Sequence, residues 1–175
     1  METHEIQHRD TGAVLYVGGG ESLRAVIEQA VASGANLACA YLAGAYLDGA
    51  NLDGANLACA NLAGANLAGA YLARANLDGA HLAGANGPKL IGSRPALQVG
   101  PIGSRCAYLV SYITDAGVYV RAGCWFGPLA DFGQRVVSEH GDSVHGQEYA
   151  AAIAMIEAHA RLWAPASAAA AARGK

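Results

Sequence analysis

Side chains that can perform chemistry are concentrated in the last third of the chain. Arg121, Cys124 and Trp125 lie close together, and His140 and His145 follow them. Cysteine thiolates and histidine imidazoles are common zinc ligands, so Cys124 and the two histidines form a candidate ligand set. Their spacing matches no zinc-finger pattern, and the sequence has neither a CxxC motif nor an HxxxH motif on a predicted helix. We therefore predict neither a metal site nor a cofactor.

The sharpest enzymatic motif is the string GCWFG at residues 123–127. It is similar to the GCFWG motif of peptide methionine sulfoxide reductase A, whose cysteine attacks the sulfoxide, but here the two aromatic residues are exchanged. The 51 residues that follow Cys124 are too few for that enzyme's α/β domain. A nucleophilic cysteine also needs a lowered pKa, for which the sequence offers only a nearby helix start. We expect Cys124 to be a small buried residue, with Trp125 and Phe126 packing beside it.

One enzymatic alternative stays open. Arg121, Cys124, His140 and His145 would form a small-ligand or Cys/His-based catalytic site if the fold brought them into one cleft. Catalytic triads are defined by their arrangement in space, so the sequence identifies no Ser-His-Asp or Cys-His-Asn set. The main expectation is a protein that is not an enzyme, in which these residues and Trp125 are candidate ligand or partner contacts.

The elements that must position these residues begin with a five-residue repeat between residues 35 and 84. It reads ANLAC, AYLAG, AYLDG, ANLDG, ANLAC, ANLAG, ANLAG, AYLAR, ANLDG and AHLAG, with no break in register. A period of five fits neither a helix nor a strand, so the chain has to turn at every repeat and return above itself. Repeats of this kind build a solenoid.

The pattern resembles the pentapeptide-repeat family. This resemblance implies a mainly β solenoid, a right-handed quadrilateral β-helix with four repeats in each coil, in which equivalent positions recur every twenty residues. The ten repeats would then make about 2.5 coils, a stack about 12 Å tall. Each Leu and the Ala two residues before it would point inward, and glycine in the last position would allow the turn.

The second position of each repeat points outward, where function would have to reside. Asparagines that recur every twenty residues are predicted to pair their amides in a structural ladder: Asn36, Asn56 and Asn76. Tyrosines occupy three different faces and therefore do not form one aromatic strip: Tyr41, Tyr46 and Tyr71. Cys39 and Cys59 would lie on adjacent coils with parallel side chains, which favours a reduced pair over a disulfide.

The sequence before and after the repeat predicts flanking elements that cover the open ends of the stack. A strand over 11–17, stopped by glycines 18–20, precedes a helix that Ser22 caps and Gly34 ends. The predicted divisions of the chain are a strand-helix cap at 1–34, the repeat at 35–87, a linker or last irregular coil at 88–101, a small α+β module at 102–163 and a flexible tail at 164–175.

Within the α+β module we predict two strands followed by two helices. The strands span 106–114 and 118–124, joined by a short hairpin loop. Pro128 opens the first helix, and a loop over 139–146 leads to a second helix over 147–163. This organisation, with the string PIGSRCAYLVSYITDAGVYVRAGCWFG and an HGxxxHG loop, resembles small pentapeptide-repeat proteins of bacteriophages and prophages. The resemblance implies a host-directed or counter-defence partner.

Composition indicates an ordinary water-exposed surface. A formal net charge of −3 over 175 residues with 14% charged residues predicts no direct nucleic-acid binding. The sequence has no signal-peptide pattern and no apolar run long enough to span a membrane, so we expect a cytoplasmic protein, in the host cytoplasm if phage-encoded.

Taken together, these patterns predict a non-enzymatic interaction protein that binds, and blocks or scaffolds, a protein partner. DNA mimicry is disfavoured, because the short stack has only Asp48, Asp53 and Asp78 against Arg74. Exposed ladder edges and an apolar C-terminal half predict a homodimer built through that half.

Overall fold

The computed structural model describes residues 2–82, 88–92, 94–123 and 125–165. Cys124, the end of the repeat at 83–87 and the residues from 166 to 175 lie outside the described residues, so the predictions for them are not tested. The chain divides into two compact units, Met1–Leu90 and Ile91–Lys175. None of the described helices combines the length and apolar character needed to cross a membrane.

The first unit begins with an antiparallel hairpin and a helix. Strand β1 (Glu2–Gln7), which the sequence did not predict, pairs with β2 (Val14–Gly20), and helix α1 spans Leu23–Ala32. The strand predicted over 11–17 starts three residues later and continues through the glycines that were expected to stop it. A Cβ on Gly18 would lie 3.0 Å from Val26 Cγ1, so glycine lets α1 lie directly against the strand.

Helix α1 is held by the cap and the apolar face that its sequence predicts. The Ser22 hydroxyl accepts a hydrogen bond from the Ala25 amide at 3.3 Å. Val26, Ile27 and Ala30 are fully buried. Because these three residues are spaced by one and three positions, one side of a helix is enough to bury all of them.

The repeat segment is built from stacked turns, while the extended sheets of the described residues, one of two strands and one of four, lie outside it. Its isolated parallel bridges all join positions twenty residues apart: Tyr41–Asn61, Tyr46–Asn66, Asn51–Tyr71, Asn56–Asn76 and Asn61–His81. Backbone hydrogen bonds run in both directions at each bridge. The Leu42 amide donates to the Asn61 carbonyl, and the Asn61 amide donates to the Ala40 carbonyl, each at 2.9 Å.

The repeat leucines form the core of this unit, as the sequence predicts. Nine of the ten are at most 4% exposed: Leu37, Leu42, Leu47, Leu52, Leu57, Leu62, Leu67, Leu77 and Leu82. The exception, Leu72, is half-buried. The alanines two residues before the leucines are also buried, from Ala40 to Ala80. Alternation of one large and one small inward side chain suits the close packing of a narrow interior.

The last position of the described repeats, from residue 39 to residue 79, adopts a left-handed backbone conformation. Gly49 has a φ of 67°, and Cys59 and Arg74 keep a φ of 56° in the same position without the freedom of glycine. Left-handed φ is unfavourable for residues with a Cβ. Cys39 and Cys59 are free cysteines in this structure.

Both ends of the stacked turns receive backbone hydrogen bonds from flanking segments of the same unit. At the first turn, the Tyr41 amide donates to the Gln7 carbonyl and the Arg9 amide to the Cys39 carbonyl, each at 2.8 Å. At the last turn, Leu90 is fully buried and its amide donates to the Ala80 carbonyl at 2.9 Å. The segment expected to be a linker or a last irregular coil therefore contributes an edge to the last turn.

The second unit contains a four-stranded antiparallel sheet and two helices. In chain order, the elements are β3 (Ala96–Ile102), β4 (Ala107–Thr114), β5 (Gly117–Ala122), β6 (Trp125–Pro128), α2 (Leu129–His140) and α3 (Val144–Trp163). The sequence predicted only the two central strands. β3 falls in the predicted linker because Gly100 and Pro101 read as a break, and β6 is only four residues long.

The corner between the two helices is tighter than predicted. Only residues 141–143 separate α2 from α3, so His145 lies in the first turn of α3 and not in a loop. The Ser143 hydroxyl accepts from the Gly146 amide at 3.2 Å and caps α3. A Cβ on Gly146 would collide with the Gly141 carbonyl oxygen, so this corner requires glycine. The HGxxxHG motif is therefore the sequence of a close helix–helix turn.

One face of the sheet and the two helices enclose the core of the second unit. The buried members are Leu109, Val120, Leu129, Phe132, Val136 and Ile156. Leu109 and Val120 come from the two central strands, while Phe132 and Ile156 come from the helices. This arrangement determines which side chains of β5 and β6 face the helices.

Candidate functional site

The asparagines in the second repeat position stabilise their own turn through a side-chain hydrogen bond to the backbone. Their Oδ1 atoms accept a hydrogen bond from the backbone amide two residues later, at 3.1 to 3.3 Å, in Asn36, Asn51, Asn56, Asn61, Asn66 and Asn76. A short polar side chain that bonds its own backbone stabilises a turn. Asparagine is thus the residue that the turn itself favours.

The predicted amide ladder is confirmed. Asn56 Nδ2 donates to Asn36 Oδ1 at 2.8 Å, and Asn76 Nδ2 donates to Asn56 Oδ1 at 3.3 Å. Asn56 and Asn76 therefore use the amide oxygen for their own turn and the amide nitrogen for the asparagine twenty residues earlier. These groups are engaged in holding the stack together.

Tyr41, Tyr46 and Tyr71 occupy the same repeat position but cannot perform this task. A phenol places its oxygen too far from the backbone to accept the amide hydrogen bond of the turn. Their side chains are instead 56%, 80% and 67% exposed. Each tyrosine therefore replaces a turn-stabilising residue with a large aromatic surface in solvent. The parallel bridges place the three residues in three successive columns of the stack.

Beside Tyr71, the charges of the stack neutralise each other. Arg74 donates through Nε and Nη2 to the two carboxylate oxygens of Asp53, at 3.1 and 2.5 Å. These hydrogen bonds hold the pKa of Asp53 below its ordinary value of 3.8. Of the three acidic residues in the repeat, only Asp48 and Asp78 lie outside the ion pair with Arg74. A strongly negative surface of the kind that DNA mimicry requires is not built here.

In the second unit, the structure joins three of the five predicted site residues through aromatic contacts. The ring centroid of Trp125 is 5.5 Å from that of Phe132, which is 5.7 Å from Tyr149. Tyr149 stacks on His140 at 5.4 Å, and His140 lies 6.4 Å from His145. The resulting aromatic chain crosses from β6 to the corner between α2 and α3.

Phe132 and Tyr149 link this aromatic chain, and neither is among the residues that the sequence indicated for the site. The signal is the spacing of Tyr149 from the Ser143 cap, which sets it one and a half turns into α3 and opposite the end of α2. A short helix–helix connection brings those two turns together.

Arg121 is not part of that aromatic chain. It pairs with Phe126 across β5 and β6, and its guanidinium carbon lies 5.1 Å from the Phe126 ring. Trp125 pairs with Ala122 in the same register and packs on α2. Since neighbouring residues of a strand face opposite sides of a sheet, Arg121 and Trp125 lie on opposite faces.

Arg121 belongs to a second cluster with Tyr112 on the other face of the sheet. Burial raises the pKa of Tyr112 to about 12, although the positive charge and a hydrogen bond of Arg121 act in the opposite direction. The Tyr112 side chain is 1% exposed and meets the Phe126 ring edge-on at 6.3 Å. A tyrosine in this state remains a neutral packing residue at physiological pH.

The described residues therefore do not bring Arg121, His140 and His145 into one cleft. Cys124, the cysteine of that alternative site, lies outside the described residues. Within the part of the chain that the structure describes, no three His, Cys, Asp or Glu side chains are grouped to hold a metal ion. The exposed tyrosines of the repeat, Tyr41, Tyr46 and Tyr71, are the feature that the stability of the fold explains least.

Comparison with known protein families identifies the repeat. The family model described as pentapeptide repeats matches eight copies over residues 25–58, 35–72 and 55–86. Neither the search of curated proteins nor the search of solved structures found a match.

Proposed function

Because the chain carries the repeats of the pentapeptide-repeat family, we propose that it is a non-enzymatic interaction protein that binds a protein partner through its stacked repeats. Binding would block or scaffold that partner. The resemblance of the flanking segments to phage-encoded proteins supports a host-directed or counter-defence partner in the host cytoplasm. The observation that carries the proposal is the exposure of Tyr41, Tyr46 and Tyr71 in a position where asparagine serves the fold better.

The scaffold for this surface is proposed to be a right-handed quadrilateral β-helix of about 2.5 coils. Parallel bridges at a spacing of twenty residues support four repeats per coil. Backbone hydrogen bonds above and below each turn keep the outward positions in place before a partner arrives. Such preorganisation lowers the entropy cost of binding.

Tyrosine suits the proposed role because its ring offers a large contact area with only two side-chain torsions to immobilise. Tyrosines are enriched among the residues that contribute most to protein interfaces. The three rings project into solvent, with Asp48 two residues after Tyr46 and the Asp53–Arg74 ion pair beside Tyr71. The partner is therefore expected to provide a pocket for an aromatic ring.

The test replaces each tyrosine with the residue that the repeat itself favours. Tyr41→Asn, Tyr46→Asn and Tyr71→Asn restore the turn hydrogen bond, so thermal stability should stay equal or rise while partner capture falls. Quantitative affinity capture from extracts of the native host, read by mass spectrometry, compares each variant with the wild type. Because the tyrosines lie in different columns, the variant that loses binding identifies the contacted face.

Tyr108→Asn is the matched control, since Tyr108 is 42% exposed but lies on β4 in the second unit. It should retain full capture. Equal capture by the three repeat variants and the wild type, or no protein enriched above an untagged control, would contradict the proposal.

The same proposal includes the absence of catalysis and of a resident metal or cofactor. We expect no zinc by elemental analysis of protein purified without chelator, and no methionine sulfoxide reduction by wild type or Cys124→Ser. Separation of Arg121 from the aromatic chain supports this expectation. Stoichiometric zinc, or reductase activity that disappears in Cys124→Ser, would overturn it.

Self-association is the last part of the proposal: the protein acts as a homodimer through its C-terminal half. Trp125 and Trp163 in that half pack within the second unit, Trp125 against Phe132 and Trp163 under the Arg94 guanidinium. Val144, Met155 and Leu162 of that unit are exposed, and their apolar surface supports the proposal.

A further inference from the structure

Cys39 and Cys59 occupy the same corner of two adjacent turns of the stack. The Cys39 amide donates to the Ala58 carbonyl, and the Cys59 amide donates to the Asp78 carbonyl, each at 2.8 Å. Both cysteines have a left-handed backbone, with φ of 59° and 56°. Equal hydrogen bonds and equal backbone angles make their Cα–Cβ bonds parallel, so the two thiols lie side by side.

Cysteine is an unfavourable residue for this corner, because a left-handed φ suits glycine and disfavours a residue with a Cβ. Glycine takes the position in six other described repeats: Gly44, Gly49, Gly54, Gly64, Gly69 and Gly79. The exceptions are Arg74, which pairs with Asp53 in the adjacent turn, and the two cysteines. The cysteines are neighbours of each other, so both exceptions place a reactive or charged group beside a partner across the turns.

Arg9 helps to hold the two cysteines at their spacing. Its amide donates to the Cys39 carbonyl at 2.8 Å, and its Nη1 donates to the Cys59 carbonyl at 2.6 Å. Its Nε pairs with the exposed Asp10 carboxylate at 3.2 Å. Together with the hydrogen bond from Cys39 to Ala58, these contacts fix the distance between the two turns at this corner, and hydrogen-bonded backbones of this kind lie about 4.8 Å apart.

This spacing determines which chemistry two parallel thiols can share. A disulfide needs Cβ atoms about 3.8 Å apart, so turns that lie about 4.8 Å apart would have to move closer to form one. A metal ion held in line between two thiolates needs sulfur atoms about 4.6 Å apart, since one metal–thiolate bond is about 2.3 Å long. The corner therefore suits a two-coordinate metal ion better than a disulfide.

We propose that Cys39 and Cys59 form a binding site for a soft monovalent metal ion of the Cu(I) class, held between the two thiolates. Cysteine ligands select soft ions such as Cu(I). Zinc takes three or four protein ligands, and in the part of the chain that the structure describes no three His, Cys, Asp or Glu side chains are grouped to hold an ion. On binding, each thiol releases its proton to solvent and the ion keeps its charge, so no oxidant or reductant is needed.

The site is accessible to an incoming ion. Cys59 is exposed and Cys39 is half-buried. In the next turn, a Cβ added to Gly79 would lie 3.0 Å from Cys59 Sγ, so glycine leaves space for this sulfur. The site fills only when such an ion is supplied, and it is separate from the Cys124 and histidine set for which no zinc is expected.

Anaerobic titration with Cu(I), in competition with the chelator bicinchoninate, tests the inference. The chain has four cysteines, so Cys106→Ser combined with Cys124→Ser keeps only the proposed pair. This pair-only variant should bind one Cu(I) per chain, and X-ray absorption should show two sulfur neighbours. Adding Cys59→Gly should weaken binding at least tenfold. Glycine suits the left-handed corner, so this change should not impair folding.

Cys106→Ser alone is the matched control. Cys106 is also an exposed cysteine with a left-handed backbone, with a φ of 49°, but it belongs to the second unit. This variant should keep the wild-type affinity for Cu(I). A ligand that binds only the folded chain stabilises it, so Cu(I) should raise the midpoint of thermal unfolding of the pair-only variant. The same variant with Cys59→Gly should show no such rise.

Three results would overturn the inference. The first is a pair-only variant that takes no Cu(I) from the chelator, and the second is an affinity that Cys59→Gly leaves unchanged. The third is a disulfide formed by mild oxidation of the folded pair-only variant, which mass spectrometry detects as the loss of two hydrogen atoms. It would show that the two sulfur atoms approach more closely than the in-line arrangement allows.

Discussion

At the scale of single residues, the second repeat position separates structure from function. Asparagine there satisfies a backbone amide of its own turn, as at Asn51 and Asn66. Tyrosine in the same position gives up that bond and exposes its ring, as at Tyr46. The turn loses a hydrogen bond, and the exposed ring adds no packing contact that would replace it. A side chain kept against the preference of its backbone is a reasonable candidate for function.

Two glycine-to-alanine substitutions should have opposite effects on stability. Gly49 has a φ of 67° and open space around its missing Cβ, so Gly49→Ala should destabilise by about 1 to 2 kcal/mol through backbone strain alone. Gly133 lies inside α2, and a Cβ added there would have Ile153 Cδ1 as its nearest neighbour, at 3.9 Å. Gly133→Ala should therefore stabilise by about 1 kcal/mol. Urea unfolding of both variants checks this, and equal signs would contradict the left-handed turn at Gly49.

The buried Tyr112 should make stability depend on pH in alkaline solution. Its pKa is about 12 in the folded chain against an ordinary 10.0, so folding favours the neutral phenol. The resulting stability is fully present below pH 10 and is lost as pH rises through 12, by about 3 kcal/mol in all. Tyr112→Phe, which cannot ionise, should lack this loss.

The measurement is the free energy of unfolding in urea between pH 9 and 12. Tyr108→Phe provides the matched control, because Tyr108 is exposed and should keep the wild-type profile. If Tyr112→Phe and wild type lose stability in parallel over this range, Tyr112 is not buried as described.

At the scale of elements, the repeat and the helices obtain stability differently. A repeat of five residues has no regular secondary structure of its own, and its amides bond to the turns twenty residues away, as Leu57 does to the Asn76 carbonyl at 2.8 Å. Each turn is therefore stable only as part of the stack. Helix α3, in contrast, satisfies its backbone hydrogen bonds within itself, and the packing of its buried side determines its orientation.

Two leucines in the same repeat position should differ in their contribution to stability. Leu62 is 1% exposed and Leu72 is half-buried. Leu62→Ala should cost about 2 to 5 kcal/mol, because it leaves a cavity between turns that are tied by hydrogen bonds and cannot collapse. Leu72→Ala should cost clearly less.

Chemical denaturation of the two variants provides the measurement. Leu62→Asp extends the test, since an unpaired charge in this interior should prevent folding. A Leu62→Asp protein that melts cooperatively would show that the assigned register is wrong.

At the scale of the whole molecule, the chain contains two compact units, and each has buried apolar residues of its own. The first has its core in the repeat leucines and α1, and the second has its own sheet and helices. The boundary follows Leu90, which is fully buried in the first unit. Its carbonyl accepts from the Gly79 amide at 2.8 Å. The last strand-like segment of the first unit thus lies beyond the end of the recognisable repeat.

Truncation should show where the first unit ends. A fragment of residues 1–90 should unfold cooperatively, because it retains the Leu90 contacts with Gly79 and Ala80. A fragment of residues 1–86 lacks them and exposes the edge of the last turn, so its midpoint of thermal unfolding should be lower and its tendency to aggregate higher. Similar midpoints for the two fragments would show that Leu90 does not cap the stack.

Several features could be predicted from the sequence because they depend on local or strictly periodic interactions. The strict period of five determined which residues turn inward, which turn outward and which twist at the corner, from Leu37 to Leu82. The Asn36 ladder and the Ser22 cap also follow from residue type and spacing, since each bond joins positions that the period or the helix geometry fixes.

Other features depended on contacts between distant residues and were decided only in three dimensions. Strand β1 forms because Glu2–Gln7 finds an edge in β2, and β3 forms despite Gly100 and Pro101 because β4 supplies its partner. The strand register sends Arg121 and Trp125 to opposite faces, a separation that adjacent sequence positions conceal. Exposure of Val144, Met155 and Leu162 on α3 is likewise a tertiary result, because an apolar pattern alone does not reveal which apolar helix side the core will cover.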